Sequence, residues 1–254
     1  MKNVRRFDGK VADYIRFRER YSPELLLPIL RSVCGLTRDW LVADIGAGTG
    51  MLSDVFLANG NRTLAVEPNS EMRQMCRIAH EGNLNLGMID GTAEATGLNL
   101  SSVDLVVAGR ARHWFDREEA FAEFRRILKP DGWVGIIAFG RTEKGREENL
   151  VLEQILRDFS SSHTDTHAGY EVYGQLKSYL PRDFYHQEIL ETISLNWQDL
   201  LGLTLSLSHS PSRLDPHYPL FERALRDFFE RFASDGEVEL ETRYWINIGR
   251  FEPE

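Results

Sequence analysis

Between Val42 and Met51 the chain reads Val-Ala-Asp-Ile-Gly-Ala-Gly-Thr-Gly-Met, an apolar run that ends in glycines at three alternate positions. No other stretch constrains the fold as much. A short continuous apolar run suits a strand covered on both faces. Glycine lets the backbone turn sharply and approach a ligand where a side chain would stand in the way. Leu41 to Ile45 is therefore expected to be a strand, and Met51 to Ala58 a helix, with the glycines forming the loop between them. In open α/β sheets, loops at the carboxyl ends of strands are the usual ligand sites.

The alternation continues downstream. Thr63 to Val66 reads as a strand, and Ser70 to His80 as a helix capped by Asn69 or Ser70. Leu84 to Ile89 and Val103 to Ala108 read as strands. Glu118 to Leu128 is amphipathic, with Ala120, Phe121, Phe124, Ile127 and Leu128 on one face. Lys129-Pro130-Asp131-Gly132 is expected to stop that helix and turn the chain into a strand over Trp133 to Phe139. This βαβ order implies an α/β fold, a doubly wound, mostly parallel sheet with right-handed crossovers.

After residue 140 the alternation breaks. Residues 145–160 and 171–180 and the segment Asp215 to Phe232 read as helices, and Phe184 to Leu195 and Glu239 to Phe251 as strands. Asp235-Gly236 supplies the turn before the last strand. Ser160 to Gly169 is polar and reads as a mobile entry loop. Nothing resembles a repeat or a long linker, so 1–254 reads as a single domain, with a ligand-binding core over about 35–140 and helical cap elements over about 1–30 and 141–233.

Composition narrows the partners. Lys and Arg number 30 against 39 Asp and Glu, a net charge of −9. That balance argues against a nucleic acid partner, because neutralising phosphates needs a basic surface. Cys34 and Cys76 have no spacing that suggests a metal site or a disulfide framework and read as buried thiols of a reducing cytoplasm. His163, His167, His209 and His217 do not form a metal set, and no metal is expected. Met1 to Asp8 lacks the apolar core of a signal peptide, and no apolar run approaches the roughly 20 residues that span a bilayer. A cytoplasmic protein without a membrane partner is the expectation.

Glu67 ends the second strand, 21 residues after Gly46. An acidic residue there can accept both ribose hydroxyls of an adenosine. Two cofactor classes use such a loop. Dinucleotide sites carry G-x-G-x-x-G, whose third glycine permits close helix packing. Here the spacing is G-x-G-x-G, and Met51 occupies the place of that third glycine. S-adenosylmethionine (SAM) has no pyrophosphate to cradle, so its loop need not follow the dinucleotide pattern. SAM is the favoured reading, with a NAD-type oxidoreductase, a non-catalytic SAM-binding protein and a glycine turn that holds nothing as rivals.

The residues also carry a family resemblance. Asp44 to Gly50 resembles motif I of the class I SAM-dependent methyltransferases, and Val66 to Met72 resembles their second motif. Gly91-Thr92-Ala93-Glu94 is similar to their adenine-binding turn after the third strand, and Arg126 to Gly132 to their segment before strand five. Tyr14 and Arg18, in a Y-x-x-x-R pattern, and His113-Trp114-Phe115-Asp116 resemble segments of the trans-aconitate methyltransferase-like group of small-molecule enzymes. The resemblance implies a Rossmann-like methyltransferase fold: a seven-stranded, mostly parallel sheet with an antiparallel last strand and a helical cap. It implies SAM as cofactor, S-adenosylhomocysteine as product and a small-molecule acceptor such as a carboxylate or a hydroxyl.

Residue by residue, the resemblance implies that Gly46, Ala47 and Gly48 line the methionyl part of SAM, with Asp44 anchoring the loop or reaching the amino group through water. Glu67 would bind ribose, with Pro68 and Met72 against the adenine and Thr92, Ala93 and Glu94 at its edge. Many relatives have aspartate where Thr92 stands, so the contact to the exocyclic amine departs from the family pattern. Tyr14 and Arg18 would close over the methionyl carboxylate, with Arg110 also on the cofactor side. Arg112, His113 and Trp114 would face the acceptor, Arg110 and Arg112 suiting an anionic one. His113 is the candidate base, with a structural histidine bonded to backbone as its alternative. A base is needed only if the nucleophile must lose a proton, and a carboxylate acceptor needs none.

Overall fold

The apolar runs become strands because both of their faces are covered. In β1 (Leu41–Ile45), Val42, Ala43 and Ile45 are fully buried; in β4 (Val103–Ala108), so are Val103, Leu105, Val106, Val107 and Ala108. β1 pairs in parallel with β2 (Arg62–Val66) on one side and with β4 on the other, and β2 pairs in parallel with β3 (Leu86–Ile89). The computed structural model describes residues 17, 20–110, 115–142, 145–160, 175–207 and 210–253.

Three long strands complete the sheet: β5 (Leu128–Arg141), β6 (Arg182–Leu195) and β7 (Val238–Arg250). The order is β3-β2-β1-β4-β5-β7-β6. The sheet is mixed and mostly parallel, as expected of a doubly wound fold with an antiparallel last strand. The chain runs outward from β1 to β3 and then returns to place β4 on the other flank of β1, so the switch point lies between β1 and β4. Ligands of such sheets bind beyond the carboxyl ends of the strands at that point.

Helix boundaries follow local capping chemistry. In α1 (Pro23–Cys34), Ser22 Oγ accepts the Leu25 N–H and proline stands in the first turn, where its missing donor costs nothing. α2 (Ser53–Asn59) begins two residues later than the sequence pattern suggests, because Met51 and Leu52 form a turn. Asn69 Oδ1 caps α3 (Ser70–Ala79) through the Met72 N–H, and Asp116 caps α4 (Arg117–Ile127) through the Glu119 N–H. The remaining described helices are α5 (Glu147–Asp158), α6 (Leu176–Tyr179), α7 (Trp197–Leu205) and α8 (Tyr218–Phe232). The Asp235-Gly236 turn forms as expected: both residues have positive φ, and Ser234 and Glu237 exchange backbone hydrogen bonds across it.

One turn is corrected. Lys129 to Gly132 do not stand outside the strand but belong to β5, which starts directly at Leu128 opposite Val103 and resumes regular register with Trp133 opposite Leu105. Pro130 has no N–H to donate, and Asp131 lies at φ 64. The segment cannot ladder regularly, so the strand absorbs it as a bulge.

Residues divide into two compact units: Arg20–Phe139 with His167–Glu188 and Trp245–Glu254, and Met1–Glu19 with Gly140–Thr166 and Ile189–Tyr244. In the first, Phe121 and Phe124 of α4 pack on the sheet residues Val106, Val134 and Ile136, with Tyr179 and Phe251 against the Phe121 ring. In the second, Leu152 and Leu156 of α5 share a core with Leu200 and Leu205 of α7 and Phe221, Leu225 and Phe228 of α8. The same unit buries an Arg141–Glu153 ion pair at 2.8 Å, and the fully buried Asn149 side chain bonds the backbones of both Thr142 and Glu241. Among the described residues, no helix is long and apolar enough to cross a membrane.

Candidate functional site

Parallel register brings four loops to one end of the first unit's sheet. Ile45 stands opposite Val66, Val66 opposite Ile89, and Asp44 opposite Val107, so residues 46–52, 67–69, 90–98 and 109–110 all leave the carboxyl ends of their strands. The glycine loop turns as its composition demands. Gly46, Gly48 and Gly50 lie at φ 68, 59 and 87, a region that L side chains rarely adopt. The Gly46 and Ala47 N–H groups both donate to Val66 O, at 2.9 and 3.1 Å, which ties the loop to the end of β2.

Glu67 closes this arrangement. Its Oε2 accepts the Gly48 N–H at 2.9 Å and its Oε1 accepts the Asn69 N–H at 2.8 Å. Burial pushes the carboxyl above its ordinary pKa, and the two N–H groups and Arg73 oppose that. Each oxygen keeps a second lone pair for a further donor. Arg73 donates to Glu67 O and to Asp90 Oδ2, both at 2.7 Å, and so braces the ends of β2 and β3.

Asp44 is almost fully buried in β1. Its Oδ2 accepts from Ser53 Oγ at 2.7 Å, while Oδ1 is buried without a hydrogen-bond partner. Desolvation pushes its pKa up to about 7, against the opposing Ser53 bonds, with Glu67 and Asp54 raising it further. A buried carboxylate oxygen left unpaired is costly. A ligand donor is one way to satisfy it. Beside it, nothing lies within 4 Å of the position a Cβ would take on Gly48, so the loop leaves an open cradle. An orphaned acceptor and an open backbone cradle at the switch point fit a ligand that carries an ammonium donor, such as the α-amino group of SAM.

The turn after β3 is held differently. The Thr92 N–H bonds Ala95 O, and Thr92 Oγ1 accepts the Ala95 N–H, so the exposed Thr92 side chain closes its own turn. Ala93 is buried, and Glu94 Oε1 accepts the Asp116 N–H at the start of α4. A Cβ on Gly91 would stand 2.6 Å from Thr96 O, so that tight turn requires glycine. Pro68 is exposed, and Met72 is buried in the first turn of α3.

Arg110 follows β4. Its guanidinium carbon lies 5.7 Å from the Tyr21 ring centroid and 6.0 Å from that of Phe139, with Nη2 3.7 Å from the Met51 sulfur, next to the glycine loop. Tyr21 Oη accepts the Arg110 N–H at 3.1 Å and donates to Ile137 O at 3.2 Å.

The structure thus brings together Asp44, Gly46, Ala47, Gly48, Glu67, Pro68, Met72, Thr92, Ala93, Glu94 and Arg110 at one end of one sheet. Tyr14, Arg18, Arg112, His113 and Trp114 lie outside the described residues, as does the entry loop over 161–169.

Three supports escaped sequence reasoning. Tyr21 has no local signal. Glu123 carries one: it falls at helical spacing on the apolar stripe of Ala120 and Ile127. Its Oε1 accepts from Thr96 N and Oγ1 at 3.0 and 2.6 Å, and both oxygens accept from Arg126, which drives its pKa down to about 2. The third is His80, whose Nε2 lies 2.7 Å from Asp54 Oδ1.

Comparison with known proteins bears on the fold. Residues 43–136 match the family model described as a methyltransferase domain. The chain is 34% identical over 145 residues to an uncharacterized methyltransferase of Mycobacterium tuberculosis, covering 54% of each chain. It is 32% identical over 134 residues to an uncharacterized methyltransferase of Schizosaccharomyces pombe, covering 52% of each. It spans about half the length of the curated relatives it matches. Among solved structures, a protein of Anaeromyxobacter dehalogenans assigned to the type II methyltransferases superposes with a TM-score of 0.64 at 24% identity, over 94% of this chain and 100% of that one.

The fold is that of the Rossmann-like methyltransferases. Matched residues 43–136 include the glycine loop, Glu67, the turn after β3 and Arg110. They end inside β5, before the second unit's share of that strand.

Proposed function

We propose that this chain is a SAM-dependent methyltransferase of a small-molecule acceptor. One observation carries the reading: Glu67 holds the Gly48 N–H beside an open glycine cradle and an unpaired buried Asp44 oxygen. A dinucleotide fits less well. The place of its third glycine is filled by the buried Met51 side chain, and a carboxylate on the loop's own N–H repels a pyrophosphate. When bound, SAM supplies an electrophilic methyl group on a positively charged sulfur.

In this reading the chain's own residues bind and orient. Gly46, Ala47 and Gly48 line the methionyl part, Asp44 pairs with its ammonium, and Arg110, with Tyr14 and Arg18, takes its carboxylate. Glu67 uses its remaining lone pairs for the ribose hydroxyls. Pro68 and Met72 cover the adenine, and Thr92, Ala93 and Glu94 border it. The closed Thr92–Ala95 turn leaves Thr92 Oγ1 a weak acceptor, so backbone groups of that turn read the exocyclic amine. Arg112, His113 and Trp114, which follow Arg110 in sequence, read the acceptor. Proximity and alignment contribute most of the rate, since the sulfonium is a good leaving group. His113 acts as base only for an acceptor that must lose a proton.

Melting the full chain with S-adenosylhomocysteine, SAM or NAD tests the cofactor. At a hundredfold excess over Kd, a ligand specific to the native state adds about 2.7 kcal/mol. The two sulfur nucleosides are expected to raise the melting temperature and NAD to leave it unchanged. The opposite pattern overturns the assignment. Transfer of labelled methyl from SAM to acidic or hydroxylated small molecules separates an enzyme from a SAM-binding protein without turnover.

A further inference from the structure

Behind the glycine loop, three segments distant in sequence converge: Arg20, residues 50–54 and residues 76–80. A Cβ on Gly50 would stand 2.7 Å from the Cys76 sulfur and 2.7 Å from His80 Cε1, so the third glycine is where the loop rests on α3. The His80 ring lies 2.7 Å from Asp54 Oδ1 through Nε2 and 2.8 Å from Cys76 O through Nδ1. Arg20 donates to the other Asp54 oxygen at 2.9 Å. The Asp54 N–H in turn donates to Gly50 O at 3.0 Å. The imidazole is therefore wedged between the first turn of α2 and the end of α3, against the loop itself. The Asp54 hydrogen bond, and after it Cys76, push the ring's pKa up to about 10, so both of its nitrogens donate at neutral pH.

We propose that His80 and Asp54 are positioning residues for the cofactor loop. They touch no ligand. Their ion pair joins α3 to α2 and fixes Gly50, and through it the conformation in which Gly48 presents its N–H and its open face. This rests on the SAM reading above. A cradle built from backbone is only as exact as its support, because a binding constellation loses affinity when the residues behind it are loose.

Calorimetric titration of the full chain with S-adenosylhomocysteine, with thermal melting of each variant in parallel, tests this. His80→Ala is expected to weaken binding about tenfold. His80→Gln, whose amide N–H can still reach Asp54, is expected to recover most of the loss, and Asp54→Asn to fall between. A folded His80→Ala that binds as tightly as the wild type overturns the positioning role, as does a loss that His80→Gln leaves unrepaired. Should His80→Ala fail to fold, Asp54→Asn decides, and unchanged affinity there overturns the role. A wild-type chain that does not bind S-adenosylhomocysteine overturns the cofactor reading and this role with it. Normal wild-type binding with unaffected variants overturns this role alone.

Discussion

Two loops leave the carboxyl ends of β1 and β3, the strands on either side of β2, and each is tied down by a glutamate. Glu67 holds the glycine loop through the Gly48 N–H while its other oxygen accepts the Asn69 N–H, and burial leaves its carboxyl above the ordinary pKa. Glu123 holds the turn after β3 through Thr96, and Arg126 drives its pKa down to about 2. The same side chain does opposite work in the two places. Glu123 is neutralised by a cation on its own helix and is a finished structural joint. Glu67 pays for burial without a matching salt bridge, which is tolerable where a ligand's hydroxyls complete the shell. Under the proposed function, the contrast separates a residue that would bind the ligand from one that builds the scaffold.

Substitutions can break that contrast. Glu67→Ala removes a charged acceptor whose hydrogen bonds contribute about 1.5–3 kcal/mol each. Binding of S-adenosylhomocysteine should weaken by at least about tenfold, since about 1.4 kcal/mol is a factor of ten. Calorimetry on the folded variant checks it, and unchanged affinity removes Glu67 from the site.

Asp44 sharpens the comparison through pH. Its carboxyl titrates at about 7 and would pair with the ligand's ammonium only when ionised. Affinity should rise by up to about tenfold from pH 6 to pH 8 and level off above, because the ionised fraction approaches one. Asp44→Asn should flatten that profile. A wild-type profile that falls over the same range contradicts the pairing.

Glu123→Ala should do the reverse of Glu67→Ala. It strips Arg126 and Thr96 of their acceptor, so the fold should lose about 1.5–3 kcal/mol while ligand affinity changes by less than about threefold. The folded pKa is depressed, so this contribution is present above the ordinary glutamate pKa and is lost as pH falls through about 2. Denaturant unfolding of the wild type and the variant between pH 2 and pH 6 should therefore converge at the acid end. A large affinity loss without a stability loss would place Glu123 in the binding shell.

Much of this was written locally. The glycines at 46, 48 and 50 predict a loop that turns sharply after β1, and in the structure all three lie at positive φ. The apolar runs over Leu41–Ile45 and Val103–Ala108 predict buried parallel strands with those bounds. The stripe of Ala120, Phe121, Phe124 and Ile127 predicts the buried face of α4. Backbone torsions, strand burial and helix faces depend on neighbours a few residues away, so composition and period suffice to read them.

What tertiary structure alone decided has longer reach. Glu123 meets Thr96 across 27 residues, His80 meets Asp54 across 26, and Tyr21 meets Arg110 across 89. Each contact exists because strand order and parallel register carry separate loops to one edge, and no local pattern encodes which partner will be there. The same cause turned Lys129 to Gly132 from an expected turn into a bulge, since Val103 across the sheet captured Leu128 and drew the segment into β5. The residues from 42 to 51 determined that a buried strand ends in a glycine turn. Packing around Gly50, Asp44 and Glu67 decided how tightly that loop is held and what charge it presents.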